Sequence, residues 1–159
     1  MIEITLADYQ NPKHRSAIIT MLDDYAQDPM GGGEAVPEDT KNRLIEEMAK
    51  REHVFSILAF DGEQPVGIAN CVEGFSTFAA APVMNIHDIA VTASHRGQGI
   101  SRRLMDEVAT LARFRGCCKV TLEVLTGNEP AKQAYLNFGF KPYQLDPSLG
   151  NAEFWQYKL

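Results

Sequence analysis

The sequence is short of the residues that several common functions require. Its 159 residues include only three cysteines and one tryptophan. Cys117 and Cys118 are adjacent and Cys71 stands far away, with no Cys-x-x-Cys or Cys/His spacing, so neither a zinc site nor a disulfide framework is expected. No metal is expected either. The thiols read as reduced, small apolar residues of a cytoplasmic protein. No apolar run approaches the length of a membrane span, so no membrane is expected as a partner. Met1 to Gln10 alternates apolar and polar residues without a basic start, which does not fit a signal peptide. A basic surplus is also missing: the formal net charge is −6. Nucleic-acid binding is therefore not expected, while a cationic partner is tolerated. Internal repeats and low-complexity segments are absent.

What is present is an ordinary globular composition, 45% apolar and 23% charged, over a length that fits one domain, residues 1–159. Ile2–Leu6 alternates as a strand. Asn11-Pro12 opens a helix, with Asn as the cap and Pro at its first position; Asp28-Pro29 stops it, and Gly31-Gly32-Gly33 follows as a loop. A second helix starts near Pro37. Val54–Phe60 and Pro65–Phe75 are strands joined at Asp61-Gly62. Pro82 acts as a breaker ahead of a strand over Val83–Val91. Ile100, Leu104, Val108 and Leu111 repeat at helical spacing through Ile100–Phe114. Lys119–Leu125 reads as a buried strand. Asn128 caps a short helix with Ala131, Tyr135 and Phe138 on its apolar face, closed by Gly139. Phe140–Tyr143 and Phe154–Leu159 read as final strands. The order describes a mixed sheet covered by helices, an α/β architecture.

Chemistry concentrates between Asn85 and Phe140. A strand turns through His95-Arg96-Gly97-Gln98-Gly99-Ile100-Ser101 into the longest amphipathic helix. Two glycines there let backbone amides approach a ligand, and the helix start supplies unpaired N–H donors and partial positive charge. Such a turn suits a pyrophosphate. A Walker loop is excluded because its Gly-Lys-Ser/Thr ending is missing, and a dinucleotide fingerprint because Arg102 stands where the third glycine belongs.

The run Asp88-Ile89-Ala90-Val91, then Arg96-Gly97-Gln98-Gly99-Ile100-Ser101, resembles the coenzyme A motif of the GNAT N-acetyltransferases, Arg/Gln-x-x-Gly-x-Gly/Ala, with Ser101 in place of the last small residue. Leu122-Glu123-Val124, Asn128, Ala131, Tyr135, Gly139 and Phe140 match the family's second signature in order and spacing. The resemblance implies a mixed, mostly antiparallel central sheet with helices on both faces and splayed central strands forming an acetyl-CoA cleft. It implies that acetyl-CoA lies along Ile89, Ala90 and Val91, that the amides of Arg96 to Ser101 hold its pyrophosphate, that Asn128 sits near its pantetheine or adenosine end, and that Ala131 also belongs to the coenzyme site. It implies direct attack by an amine, with the Val91 amide facing the oxyanion and Tyr135 protonating the departing thiolate. His87 is the first candidate for the base, since imidazole ordinarily titrates near about pH 6.5; Asp88 is the second and Glu73 the third. Because this strand often carries a bulge in the family, alternation does not decide between His87 and Asp88, and His87 also reads as a structural histidine. His14, His53 and His95 read as surface residues without partners, and Trp155 as core or interface packing.

The implied activity is N-acetyl transfer to an amine, either a small molecule or a peptide. Asp23, Asp24, Asp28, Glu34, Glu38 and Asp39 gather where the family forms its acceptor cleft, which suits a small cationic amine. The alternatives are a non-catalytic acyl-CoA-binding module or a protein (lysine or N-terminal) acetyltransferase. A homodimer is compatible with the sequence.

Overall fold

The elements run β1 (Ile2–Leu6), α1 (Pro12–Gln27), α2 (Glu38–Ala49), β2 (Val54–Asp61), β3 (Gln64–Ser76), β4 (Ala81–Val91), α3 (Ile100–Phe114), β5 (Val120–Leu122) and α4 (Glu129–Phe138). This is the arrangement in a computed structural model that describes residues 1–159. The strands lie in the order β1-β2-β3-β4-β5. The first three pairings are antiparallel and only β4 with β5 is parallel. None of the helices is long and apolar enough to cross a membrane.

The helices cover the two sheet faces separately. Ala17, Ile18 and Met21 of α1 and Ile45 and Met48 of α2 pack on Leu58, Phe60 and Ile68. On the opposite face Ile100, Leu104, Met105, Val108 and Ala112 of α3 pack on Ile57, Ala69, Met84 and Ile86. Tyr135 and Phe138 of α4 pack against this second cluster from its margin. The local start signals explain the helix limits. Asn11 accepts from the Lys13 amide with Pro12 at the first helical position, and Asn128 accepts from the Ala131 amide at 3.3 Å; each satisfies an amide that the helix leaves unpaired.

The seat of α3 depends on Gly67. A Cβ there would stand 3.2 Å from Ala59 Cβ, Ile100 Cγ2 and Leu104 Cδ1, so glycine lets the first turn of α3 settle directly on β3. Gly67→Val is expected to cost about 1–3 kcal/mol through overpacking and to weaken anything held at the α3 N-terminus. Urea denaturation measures it; an unchanged midpoint would mean that α3 does not sit this closely on β3.

Three expectations are corrected. Pro82 lies inside β4, opposite Phe75; a proline is accommodated near a strand's start, and its carbonyl accepts from the Cys118 amide at 2.9 Å. The Lys119–Leu125 strand shrinks to Val120–Leu122 and is only half-buried, because β5 is the last strand and has no neighbour beyond it. Phe140–Tyr143 and Phe154–Leu159 form no strands, and Trp155 is exposed and so not part of the core.

Candidate active site

The site is set by how β4 leaves its neighbours. β5 accompanies β4 only from Met84 to Ile86, so the outer edge of β4 is open from His87 to Val91. On the inner side Thr92 N donates to Val66 O at 3.0 Å. Val91 O points the other way, where Arg96 Nε donates to it at 3.1 Å. Backbone direction alternates along a strand, so the amides of Ile89 and Val91 also face the open edge. Ala90 points its side chain towards the α1 face, where it packs against that cluster.

A bulge separates the two candidate bases. The β3–β4 register passes from Asn70↔Asp88 to Cys71↔Ile86, leaving His87 as the extra residue. His87 is exposed and makes no side-chain hydrogen bond. Asp88 is half-buried and ends a polar row across the sheet: Ser56 Oγ donates to Asn70 Oδ1 at 2.6 Å, and Asn70 Nδ2 donates to Asp88 Oδ2 at 3.1 Å. Ser56 and Asn70 are the two buried polar side chains of the molecule, so the interior admits polarity only where it leads to Asp88. Such groups are retained only when hydrogen-bonded. Sequence reasoning missed both, although a serine and an asparagine inside otherwise apolar strands were the available signal.

Tyr25 feels this carboxylate, and Tyr135 in turn feels Tyr25. Tyr25, in the last turn of α1, has its phenol pushed up by burial, then by the negative charges of Asp88 and Asp28. Tyr135 is pushed up to about 12, mainly by burial and secondarily by Tyr25. It therefore stays protonated at neutral pH and keeps a proton to give. Its ring is held edge-on against Phe140, with centroids 6.0 Å apart at 68°. Tyr25 is a further residue that the sequence reading did not single out. Cys71, opposite the bulge, is fully buried, and its thiol is pushed up to about 12, by burial first and Asp88 second; it is not a nucleophile at neutral pH.

The turn after β4 has the expected shape. Gly97 and Gly99 both adopt φ of 76°, a left-handed conformation that side chains resist. Gly99 is the N-cap of α3 and offers no side-chain cap, and the first turn of α3 holds no acid. The amides of Ile100 and Ser101 lack intrahelical partners and are left for a ligand. Gln98 Nε2 donates to Ser94 O at 3.4 Å, bracing the loop. An anion is favoured here by the helix dipole as well.

Arg96 also reaches across the fold, donating from its guanidinium to Asp28 Oδ2 at 3.1 Å. This ties the turn to the α1 C-terminus, a link of 68 residues in sequence. Other acids near α1 and α2 are similarly engaged. Asp23 pairs with Lys41 at 3.0 Å and accepts from the Val36 amide at 2.8 Å, while Asp39 pairs with Arg43 at 2.9 Å. Asp24 and Glu34 have no ion-pair partner. Glu73, further along β3 than Asn70, is paired with Arg115. Two histidines read as partnerless do have partners: His14 Nδ1 accepts from the Asp8 amide at 3.0 Å, and His95 Nδ1 lies 2.9 Å from Ser94 Oγ. Both fix turns through local side-chain-to-backbone or side-chain bonds that composition does not reveal.

This geometry agrees with comparison to known proteins. The sequence profile of the acetyltransferase (GNAT) family matches residues 17–140. The chain is 46% identical over 66 residues to streptothricin acetyltransferase of Streptomyces lavendulae, covering 42% of this chain and 35% of that protein. It is 26% identical over 124 residues to thialysine N-epsilon-acetyltransferase of Caenorhabditis elegans, covering 78% of this chain and 75% of that protein. The first curated relatives are matched over only 35% to 42% of their own length. Among solved structures, an aminoglycoside N-acetyltransferase in complex with CoA superposes with a TM-score of 0.78 at 17% identity, covering 100% of this chain and 96% of that chain; this likeness is one of fold. With the profile spanning most of the chain, and with both motifs placed around the open β4 edge, the protein belongs to the acetyltransferase (GNAT) family, a family of acyltransferase enzymes.

Proposed function

We propose that this protein is an N-acetyltransferase that takes the acetyl group from acetyl-CoA and passes it to a primary amine by direct attack within a ternary complex. The observation that carries the reading is the open edge of β4, flanked by a donor-rich turn at one end and by Asp88 and Tyr135 beside it. As donor substrate, acetyl-CoA supplies the activated thioester. The outward backbone of Ile89 and Val91 suits its extended arm, and the amides from Gly97 to Ser101 suit its pyrophosphate. Asn128 spends one side-chain oxygen on capping α4, which leaves its amide nitrogen for the arm. Ala131, one helical turn before Tyr135, presents a small side chain that leaves room for it.

Asp88 is the better placed base, because Asn70 holds its carboxylate and the α1 side is where an acceptor enters. It takes the proton from the incoming ammonium. The Val91 amide donates to the carbonyl oxygen as charge develops there. Tyr135 gives its phenolic proton to the departing sulfur and is reprotonated from solvent; the attacking nitrogen sheds a second proton to solvent as the amide forms, which balances the one placed on sulfur, so the proton taken by Asp88 is the net proton released. The protonated thiol of Cys71 supports transfer without an acyl-enzyme. His87, exposed at the bulge, remains the second candidate base.

A small cationic amine is the acceptor class this reading favours. Streptothricin and thialysine acetyltransferases are among the relatives, and Asp24, Glu34 and Asp88 remain without cationic partners on the α1 side. Activity confined to neutral or anionic acceptors would contradict that class.

The donor site is tested by Gly99→Val. In the free protein a Cβ at Gly99 meets nothing within 4 Å, so the fold is expected to survive the strained φ. The added side chain instead occupies the space in front of the α3 amides. Calorimetry is expected to show at least about tenfold weaker acetyl-CoA binding, equivalent to about 1.4 kcal/mol. Unchanged affinity in a folded variant would remove the turn from the site.

A further inference from the structure

The sheet face covered by α1 and α2 is apolar except along one line. Leu58, Phe60 and Ile68 present carbon to the two helices. Two residues farther along the same strands stand Ser56 and Asn70, 0% and 7% exposed. Ser56 lies directly opposite Asn70 in the β2–β3 register, and Asn70 directly opposite Asp88 in the β3–β4 register. The side chains therefore form a cross-strand row. Replacing both members of a buried hydrogen-bonded pair by apolar groups of the same shape can be neutral or stabilising. Folding alone gives no reason for polarity at 56 and 70.

The row is anchored at the end away from Asp88. Ser56 O accepts from the Ala7 amide at 2.8 Å, which ties its backbone to the exit of β1. The Tyr9 hydroxyl donates to Val54 O at 3.1 Å; burial pushes this phenol up, and the Ser56 hydroxyl beside it partly offsets the shift. No buried side-chain nitrogen or oxygen is left without a partner. At the other end Asp88 Oδ2 accepts from Asn70 Nδ2, while Asp88 Oδ1 has no hydrogen bond and is left for an incoming donor.

The facing of Asn70 is the variable part of this row. An asparagine amide has a donor end and an acceptor end of nearly the same shape, so partners rather than packing decide which end meets Asp88. A carboxylate only accepts, so it needs the donor end. Ser56 Oγ secures that choice by donating to Asn70 Oδ1 at 2.6 Å. Without this hydroxyl Oδ1 is buried and unpaired, and a half-turn of the amide in search of another donor sets oxygen against the carboxylate. We infer that Ser56 is a positioning residue for the reaction, acting through Asn70 to hold Asp88 by Oδ2 and leave Oδ1 to the acceptor. The inference rests on the reading of Asp88 as the base.

A double-mutant cycle on turnover tests it, together with NMR of the Asn70 side-chain amide in the free protein. Ser56→Ala is expected to lower turnover about tenfold, within the coupling range for residues of one network, with the KM for acetyl-CoA unchanged. In the Asp88→Asn background the same substitution is expected to cost less than about twofold. A role in folding alone would cost the same in both backgrounds. The Asn70 amide protons, distinct and slow to exchange in the unaltered protein, are expected to lose that protection in Ser56→Ala. Ser56→Cys, of similar shape and with a weak donor, carries the same measurements if the alanine variant does not fold. Equal losses in the two backgrounds, or an Asn70 amide that does not respond to loss of the Ser56 hydroxyl, overturn the inference alone. Unaltered turnover in Asp88→Asn removes the reading of Asp88 as the base, and the inference with it.

Discussion

Tyr135→Phe is expected to lower turnover on the order of a hundredfold while acetyl-CoA still binds, the lower range for loss of a positioned proton donor. Tyr135 packs its ring against Phe140 and the α3-side core, and phenylalanine keeps nearly all of that contact. If the residue only packed, the variant would therefore behave as wild type in both stability and rate. The hydroxyl is held in a site that pushes its pKa to about 12 through burial and the neighbouring Tyr25, so across the working pH range it remains a donor. The linkage sign follows: the group is protonated in folded and unfolded chains alike until strongly alkaline pH, so this phenol adds no pH dependence to stability near neutrality. A stable leaving thiolate needs less help, and the loss then falls towards about tenfold, below the usual range for general acids. Wild-type turnover in Tyr135→Phe, on an acceptor for which chemistry is rate-limiting, would make the residue structural.

Asp88→Asn is expected to cost a comparable factor, about a hundredfold or more, and to change the pH–rate profile. The introduced amide cannot take up the amine's proton, so the part of the wild-type pH dependence that comes from this step is lost in the variant. The substitution is nearly isosteric, and the introduced amide oxygen can still accept from Asn70 Nδ2, so the fold is expected to persist. His87→Gln is the paired measurement. With His87 exposed and unbonded at the bulge, its loss is expected to be small and to leave the profile in place. The opposite result, a large loss and altered profile in His87→Gln with Asp88→Asn nearly silent, would assign the proton to His87.

How far the site was legible in the sequence depends on the range of each signal. Helix limits were readable because caps act locally: Asn11-Pro12, Gly99, Asn128 and Gly139 each mark an end within a few residues. The turn from Arg96 to Ser101 was readable for the same reason. The Ser56–Asn70–Asp88 row was not, because it needs three strands in register and a bulge that moves Asp88 to the α1 side. The Arg96–Asp28 pair joins two loops that only the finished fold brings together, and it takes one of the acids that had looked available to an acceptor. Trp155 and its neighbours show a different failure. Their alternation is real strand patterning, but a strand also requires an edge to pair with, and Phe154–Leu159 pairs with none.

Release of free thiol from acetyl-CoA directly distinguishes acyl transfer from acyl-CoA binding alone. The panel should span polyamines, aminoglycosides, amino acids and peptides. Thiol release is expected to depend on amine, to saturate with a cationic acceptor and to match N-acetylated product one for one. Tight acetyl-CoA binding with no amine-dependent thiol release across the whole panel would contradict it and leave a binding module in its place.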